Sequence, residues 1–304
     1  MSHPSQDPSP HPIPCGVVIG SVNAVAVAVG RTGEHPIPSV EPATERVHRL
    51  WSAGDDARIA DGYRLEAEAF VGRQRLGPGL QVLDAACGSG TATIPAARTG
   101  ATVRGVDLAG VPLGAAAARA DGEGLAIALD QGSVERLPYP DAAFDVVLSL
   151  FGVMFAAHPN RVVDELTRVT RPGGRLALAS WTPGGFVAEL FALHAALVPP
   201  PLDIPDPFRW GDPAAVGEWL EDGPWQVRLR VRTLSLRYPF TPGGTAELFR
   251  AAHGPTVRAF ESLEEDRRAV LATELAALWA RHRRRAAAGT EVEAEFLELT
   301  AVRR

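Results

Sequence analysis

Gln81-Val82-Leu83-Asp84-Ala85-Ala86-Cys87-Gly88-Ser89-Gly90-Thr91-Ala92-Thr93 is the stretch whose reading decides the fold. An apolar strand runs into an acidic residue, and a tight glycine turn then opens a helix. Gly88 and Gly90 have no Cβ, so bare backbone comes close to a ligand there. The helix start offers free N–H groups to a polar or anionic ligand end. A dinucleotide-binding turn reads G-x-G-x-x-G, and its third glycine lets helix and strand pack closely. Here Thr93 stands where that glycine belongs, and the acid Asp84 precedes the glycines.

Outward from this turn, strand and helix alternate. The pattern predicts strands at 81–86, 102–107, 126–131, 144–150 and 175–180, with helices at 91–99, 112–121 and 160–170. Short apolar strands alternating with helices imply a parallel sheet covered on both faces. Right-handed crossovers make it doubly wound. Before the turn, residues 42–76 read as helices with apolar faces at Val47-Leu50-Trp51 and Leu65-Ala69-Phe70, stopped by Gly77-Pro78-Gly79. After Ser180 the alternation breaks. The Pro-, Gly- and Trp-rich segment 182–224 reads as an inserted lid. Val227, Leu229 and Val231 then alternate with arginines in a half-exposed strand. The parity flips at Thr233, which predicts a bulge or strand end. Val270, Leu271, Leu275, Leu278 and Trp279 predict a helical stripe, and 292–302 a closing strand.

The motif Leu83-Asp84-x-x-Cys87-Gly88-Ser89-Gly90 resembles the first motif of class I S-adenosylmethionine (SAM) methyltransferases, with Ala86 at the first glycine position. Val103-Arg104-Gly105-Val106-Asp107-Leu108 resembles the second. Gln131-Gly132-Ser133-Val134-Glu135-Arg136-Leu137-Pro138 resembles a third, with Ser133 in place of the usual Asp. Phe144–Ser149 and Arg171-Pro172-Gly173-Gly174-Arg175 follow in order. The chain resembles the methyltransferase type 11 group, akin to ubiquinone and menaquinone C-methylases, over roughly residues 80–183.

The resemblance implies an α/β, Rossmann-like doubly wound sheet of seven strands with the last antiparallel, an N-terminal helical cover and the inserted lid. It implies SAM as cofactor, held by Asp84, Ala86, Gly88, Gly90, Asp107, Leu108, Ser133, Val134 and Ser149. Asp107 would take the ribose hydroxyls and Leu108 the adenine face. Methyl transfer needs chiefly alignment and desolvation of the nucleophile. His158, at the carboxyl edge after the fourth strand, is the candidate for a base. Tyr63, Phe151, Trp181 and Trp210 are candidate walls of an acceptor site. Phe208 could join them, whereas His194 and His253 read as structural or surface residues.

Composition narrows the alternatives. Net charge is −6, and all 30 basic residues are arginine, so Arg281-His282-Arg283-Arg284-Arg285 is discounted as a nucleic-acid surface. Two cysteines, Cys15 and Cys87, supply no disulfide framework and no zinc site, which fits a cytoplasmic protein. No metal is expected. The run 16–29 is short for a membrane span, and no basic residue precedes it. Residues 1–40 read as a disordered extension, and 41–304 as the methyltransferase domain. The expected function is SAM-dependent methylation of a small, apolar or aromatic molecule. Two other readings stand beside it: an NAD(P)-dependent Rossmann oxidoreductase, and a SAM-binding pseudo-enzyme with a regulatory role.

Overall fold

The computed structural model describes residues 41–284 and 288–304. The expected extension 1–40, with Cys15 and the run 16–29, lies outside the described residues, as does Arg285. Strands β1 (Gln81–Ala85), β2 (Thr102–Asp107), β3 (Ile127–Gln131), β4 (Phe144–Leu150), β5 (Thr170–Trp181), β6 (Trp225–Tyr238) and β7 (Thr290–Arg303) form one sheet. Its order is β3-β2-β1-β4-β5-β7-β6. The first five strands pair in parallel. The last, β7, runs antiparallel between β5 and β6, as expected.

The apolar strands are central because both of their faces are covered. Val82, Leu83, Val146, Val147 and Leu148 are fully buried. From β1 the chain winds outward through α4 (Thr93–Arg98), β2, α5 (Gly110–Gly122) and β3. It then returns to the other side of β1 at β4 and continues through α6 (Pro159–Val169) to β5. Right-handed crossovers therefore put α4 and α5 on one face and α6 on the other. The reversal between β1 and β4 opens a crevice at their carboxyl ends, where ligands of such sheets bind.

The N-terminal helical region divides into α1 (Pro42–Trp51), α2 (Asp56–Ala60) and α3 (Arg64–Arg73). In α3 the buried face is Ala67, Phe70 and Val71, while Leu65 and Ala69 are exposed, which corrects the expected face. Segment 182–224 holds α7 (Phe186–Leu197), a short turn at Pro207–Gly211, and α8 (Pro213–Leu220). Only α7 lies over the crevice. The turn and α8 pack on β5, α6 and β6.

Strand β6 corrects another expectation. Its register with β7 is unbroken from Trp225↔Arg303 to Tyr238↔Thr290, so there is no bulge at Thr233. The parity flip has a different cause. At the first end Trp225 is buried and its Nε1 donates to Thr167 of α6. At the second end Leu234, Leu236 and Tyr238 are buried on the opposite pleat, under residues that include Phe249 and Trp279. Those belong to the helices between β6 and β7: α9 (Pro242–Ala252), α10 (Gly254–Ser262) and α11 (Glu265–His282). One long edge strand is thus covered on different faces at its two ends. In α11 the stripe is Leu271, Leu275, Leu278 and Trp279, and Val270 is exposed.

Candidate active site

The crevice at the β1/β4 switch is a cleft floored by the glycine turn. Ala86, Gly88 and Gly90 all have positive φ, at 56°, 52° and 78°. Ala86 therefore holds a left-handed backbone where a glycine would carry no strain. Asp84 is buried at the end of β1. Its Oδ2 accepts from the Thr93 hydroxyl at 2.6 Å, and its Oδ1 is buried without a partner. Thr93 at the third glycine position is thus the brace of this carboxyl group. Burial lifts the Asp84 pKa to about 7 against that hydrogen bond, and the charge of Asp107 adds to the rise.

Asp107 ends β2. Its Oδ2 accepts from Gly88 N at 2.8 Å and its Oδ1 from Ala109 N at 2.9 Å. Burial lifts its pKa to about 6, opposed by these two amides. One lone pair on each oxygen remains to accept further bonds. Leu108, Ser133 and Val134 line the same cleft. So does Asp56 at the start of α2, whose Oδ2 accepts from Ser89 Oγ at 3.3 Å. Burial raises its pKa too.

Glu135 joins the cover to the sheet. Its Oε1 accepts from the backbone N–H of Ala157 at 2.8 Å and of His158 at 3.1 Å. Its Oε2 lies 2.9 Å from both Thr44 Oγ1 and His158 Nδ1. This holds α1 over the cleft, helped by Glu41, which pairs with Arg161 at 2.8 Å. Asp56 and Glu135 had no assigned role in the sequence. Only the fold brings α1, α2 and the loop after β3 together.

The cleft continues into an inner aromatic cavity. Trp51, Asp56, Tyr63, Phe151 and Phe155 line both. Phe151 stacks on Trp181 with centroids 3.7 Å apart and planes 7° apart, and Tyr63 meets Phe151 edge-on at 5.5 Å. Further in lie Phe186, Leu190 and Phe191 of α7, and His253 at the α9–α10 junction. His253, read from sequence as structural or surface, is buried and faces this cavity.

Three expected site residues lie elsewhere. Ser149 Oγ donates to Ala85 O at 2.7 Å and accepts from Val153 N at 3.1 Å, so it ties β4 to β1 beneath the turn. Trp210 packs on Trp219 at 4.8 Å, outside both spaces, because the segment carrying it runs under β5. His158 has both ring nitrogens engaged, Nδ1 by Glu135 and Nε2 by Glu41 at 3.2 Å, and it lines neither space. As a structural clamp it should not be a base. His158→Gln is expected to change kcat by less than about threefold at saturating cofactor, since a general base is worth ~10²–10⁴-fold. A hundredfold loss with unchanged S-adenosylhomocysteine affinity would return the base role to it.

Among the described residues, other features give no competing site. Cys87 is buried, and burial pushes its thiol well up, so it is unreactive. In the basic run, Arg281 and His282 face Glu189 and Arg284 pairs with Glu293, so these charges are matched within the chain. No cluster of metal-ligating side chains occurs among the described residues. No described helix is long and apolar enough to cross a membrane.

A cleft carrying Asp56, Asp84, Asp107 and Glu135, with no arginine in its lining among the described residues, suits a cation and repels a pyrophosphate. That disfavours the nicotinamide reading. The partnerless Oδ1 of Asp84 and the open glycine cradle fit a ligand with an ammonium and a sulfonium.

Comparison with known proteins agrees. A family described as a methyltransferase domain matches residues 83–178. An uncharacterized protein of Mycobacterium tuberculosis is 36% identical over 235 residues, 77% of this chain and 84% of that protein. The ubiquinone biosynthesis O-methyltransferase of Nitrosococcus oceani is 31% identical over 199 residues, 63% of this chain and 84% of that protein. The crystal structure of YcgJ from Bacillus subtilis shares the fold, with a TM-score of 0.56 at 16% identity over 79% of this chain and 99% of that one. The chain belongs to the type 11 family of class I SAM-dependent methyltransferases. It is a transferase, and SAM is its methyl donor.

Proposed function

We propose that the enzyme methylates a small, apolar or aromatic molecule seated in the inner cavity. The observation that supports this most is that cavity itself, walled by aromatic rings and opening directly from the cofactor cleft. Bound SAM supplies a methyl group on an already activated sulfonium leaving group. The chain's own contribution is position. Asp84 Oδ1 would accept from the ammonium of the methionine half, over Gly88 and Gly90. Asp107 would accept from the ribose hydroxyls through its free lone pairs. Leu108 and Val134 would flank the adenine, with Ser133 at its polar edge. Trp51, Tyr63, Phe151 and Trp181 would exclude water and hold the acceptor in line, and such alignment lowers the barrier without a covalent step.

The Nitrosococcus relative, named for an O-methylation in ubiquinone biosynthesis, supports an aromatic acceptor. A panel of phenols, quinols, aliphatic alcohols and amines, incubated with methyl-labelled SAM, tests the proposal. Label is expected in ring compounds, with KM falling as apolar area grows. Label confined to small charged aliphatic amines would overturn it.

A further inference from the structure

The inner cavity is apolar except at a few points, and one of them is connected to a buried polar chain. His253 Nδ1 lies 2.8 Å from Thr256 Oγ1, and Thr256 Oγ1 lies 3.1 Å from His194 Nε2. All three side chains are buried. They come from the α9–α10 junction, α10 and α7. His253 Nε2 makes no hydrogen bond among the described residues. Its ring sits among Trp51, Phe191 and Phe249, with centroids 6.0, 5.9 and 5.2 Å away. A histidine–threonine–histidine chain is costly to bury in such a place unless its open end meets a polar atom.

We propose that His253 is the general base of the methyl transfer, taking the proton of a hydroxyl-bearing acceptor through Nε2, with Thr256 and His194 as positioning residues. This rests on the acceptor occupying the inner cavity, as proposed above. The chain can run in two directions, and His194 Nδ1 is buried without a partner. A hydroxyl that donates into the cavity selects one of them. In that direction His253 Nδ1–H donates to Thr256, Thr256 donates to His194 Nε2, and the bare lone pair of His253 Nε2 faces the acceptor. As the acceptor oxygen bonds to the methyl carbon, the sulfonium S–C bond breaks and its electron pair stays on sulfur. The acceptor's proton moves to Nε2, so charge and atoms balance. The imidazolium then loses that proton to water when the product leaves.

The surroundings keep His253 neutral and ready to accept. Burial holds its pKa well below the ordinary imidazole value, and His194 is brought down to about 4 by the same cause. The titratable groups that share the cavity with His253 are Asp56, Tyr63 and Tyr238. Tyr63 and Tyr238 are held neutral by burial, and the Tyr238 hydroxyl donates to Ile59 O at 2.8 Å. On α9, Arg250 lies over Phe260 and pairs with Glu247. On α10, Arg258 pairs with Glu261.

The test uses the phenols methylated in the panel above. His253→Gln is expected to lower kcat about 10²-fold or more, with KM and S-adenosylhomocysteine affinity within about threefold of wild type. The loss should shrink steadily as nitro-substituted phenols, ionised without help, replace weaker acids. Thr256→Val should give a smaller fall in kcat, because the tautomer is no longer fixed, and it serves if His253→Gln does not fold. Proton-detected NMR of the histidine rings, in the complex with S-adenosylhomocysteine, should show the Nδ1–H tautomer at His253 when an unsubstituted phenol, whose hydroxyl keeps its proton, is added. Equal loss on every phenol, or kcat within threefold of wild type, would overturn the base while leaving the aromatic acceptor intact. A panel that takes label only on amines or carbon, or not at all, removes the hydroxyl and the inference with it.

Discussion

Asp107→Ala is expected to weaken S-adenosylhomocysteine binding by roughly 1–3 kcal/mol, about five- to 150-fold. The carboxylate does two things at once. It fixes the glycine turn by accepting from Gly88 N and Ala109 N, and in the proposed function its remaining lone pairs would accept from the ribose hydroxyls. Alanine would leave two amide donors and, on that proposal, two ligand hydroxyls without partners. Titration calorimetry reads the change directly, and an affinity within twofold of wild type would remove the ribose role.

The pH dependence has a definite sign. Burial raises the pKa of Asp84 to about 7 and of Asp107 to about 6, so both are partly protonated below neutrality. A ligand ammonium would favour the ionised carboxylates, so binding should release protons and affinity should rise from pH 5 to about pH 8, then level off. Calorimetry at pH 6 in buffers of different ionisation heat should show proton release, and less of it in Asp84→Asn.

The second large effect is expected at Gly152, just past β4. Its backbone lies in an ordinary region at φ −103°, so glycine is not needed there for conformation. It is needed for space. A Cβ at Gly152 would stand 2.3 Å from Ala86 O and 2.7 Å from Ala86 Cβ. Both obstacles belong to the left-handed Ala86, which cannot turn aside. Gly152→Ala should therefore push the loops after β1 and β4 apart. Overpacking of this kind costs ~1–3 kcal/mol or more. We expect a lower thermal midpoint together with S-adenosylhomocysteine affinity reduced at least tenfold, because the displaced loop is the floor of the cleft. A variant that keeps both would show that the two loops move freely.

Much of this was legible in local sequence. The strand–Asp84–glycine-turn–helix unit and Asp107 at the end of the next strand are short-range patterns, set by backbone sterics and by apolar periodicity. The doubly wound order follows from them by handedness alone. Ser149 and Trp210 were misplaced for a physical reason: the direction a side chain faces at a strand end or in a turn depends on what packs behind it. Ser149 is consumed by a bond to Ala85 O, and Trp210 by Trp219. The flip along β6 has the same origin, since its covering helices come from distant parts of the chain.

The sequence by itself determined the methyl donor, because the motif residues that point to it sit at consecutive strand ends whose spacing is local. Only the tertiary structure decided which further residues line the inner cavity proposed for the acceptor. Asp56, Phe191 and His253 lie on three segments spread over nearly 200 residues, and no periodicity links them. They converge because α1, α2, α7 and α9–α10 bury their apolar faces over the same crevice, and that burial sets both the shape of the cavity and the neutral state of the histidine inside it.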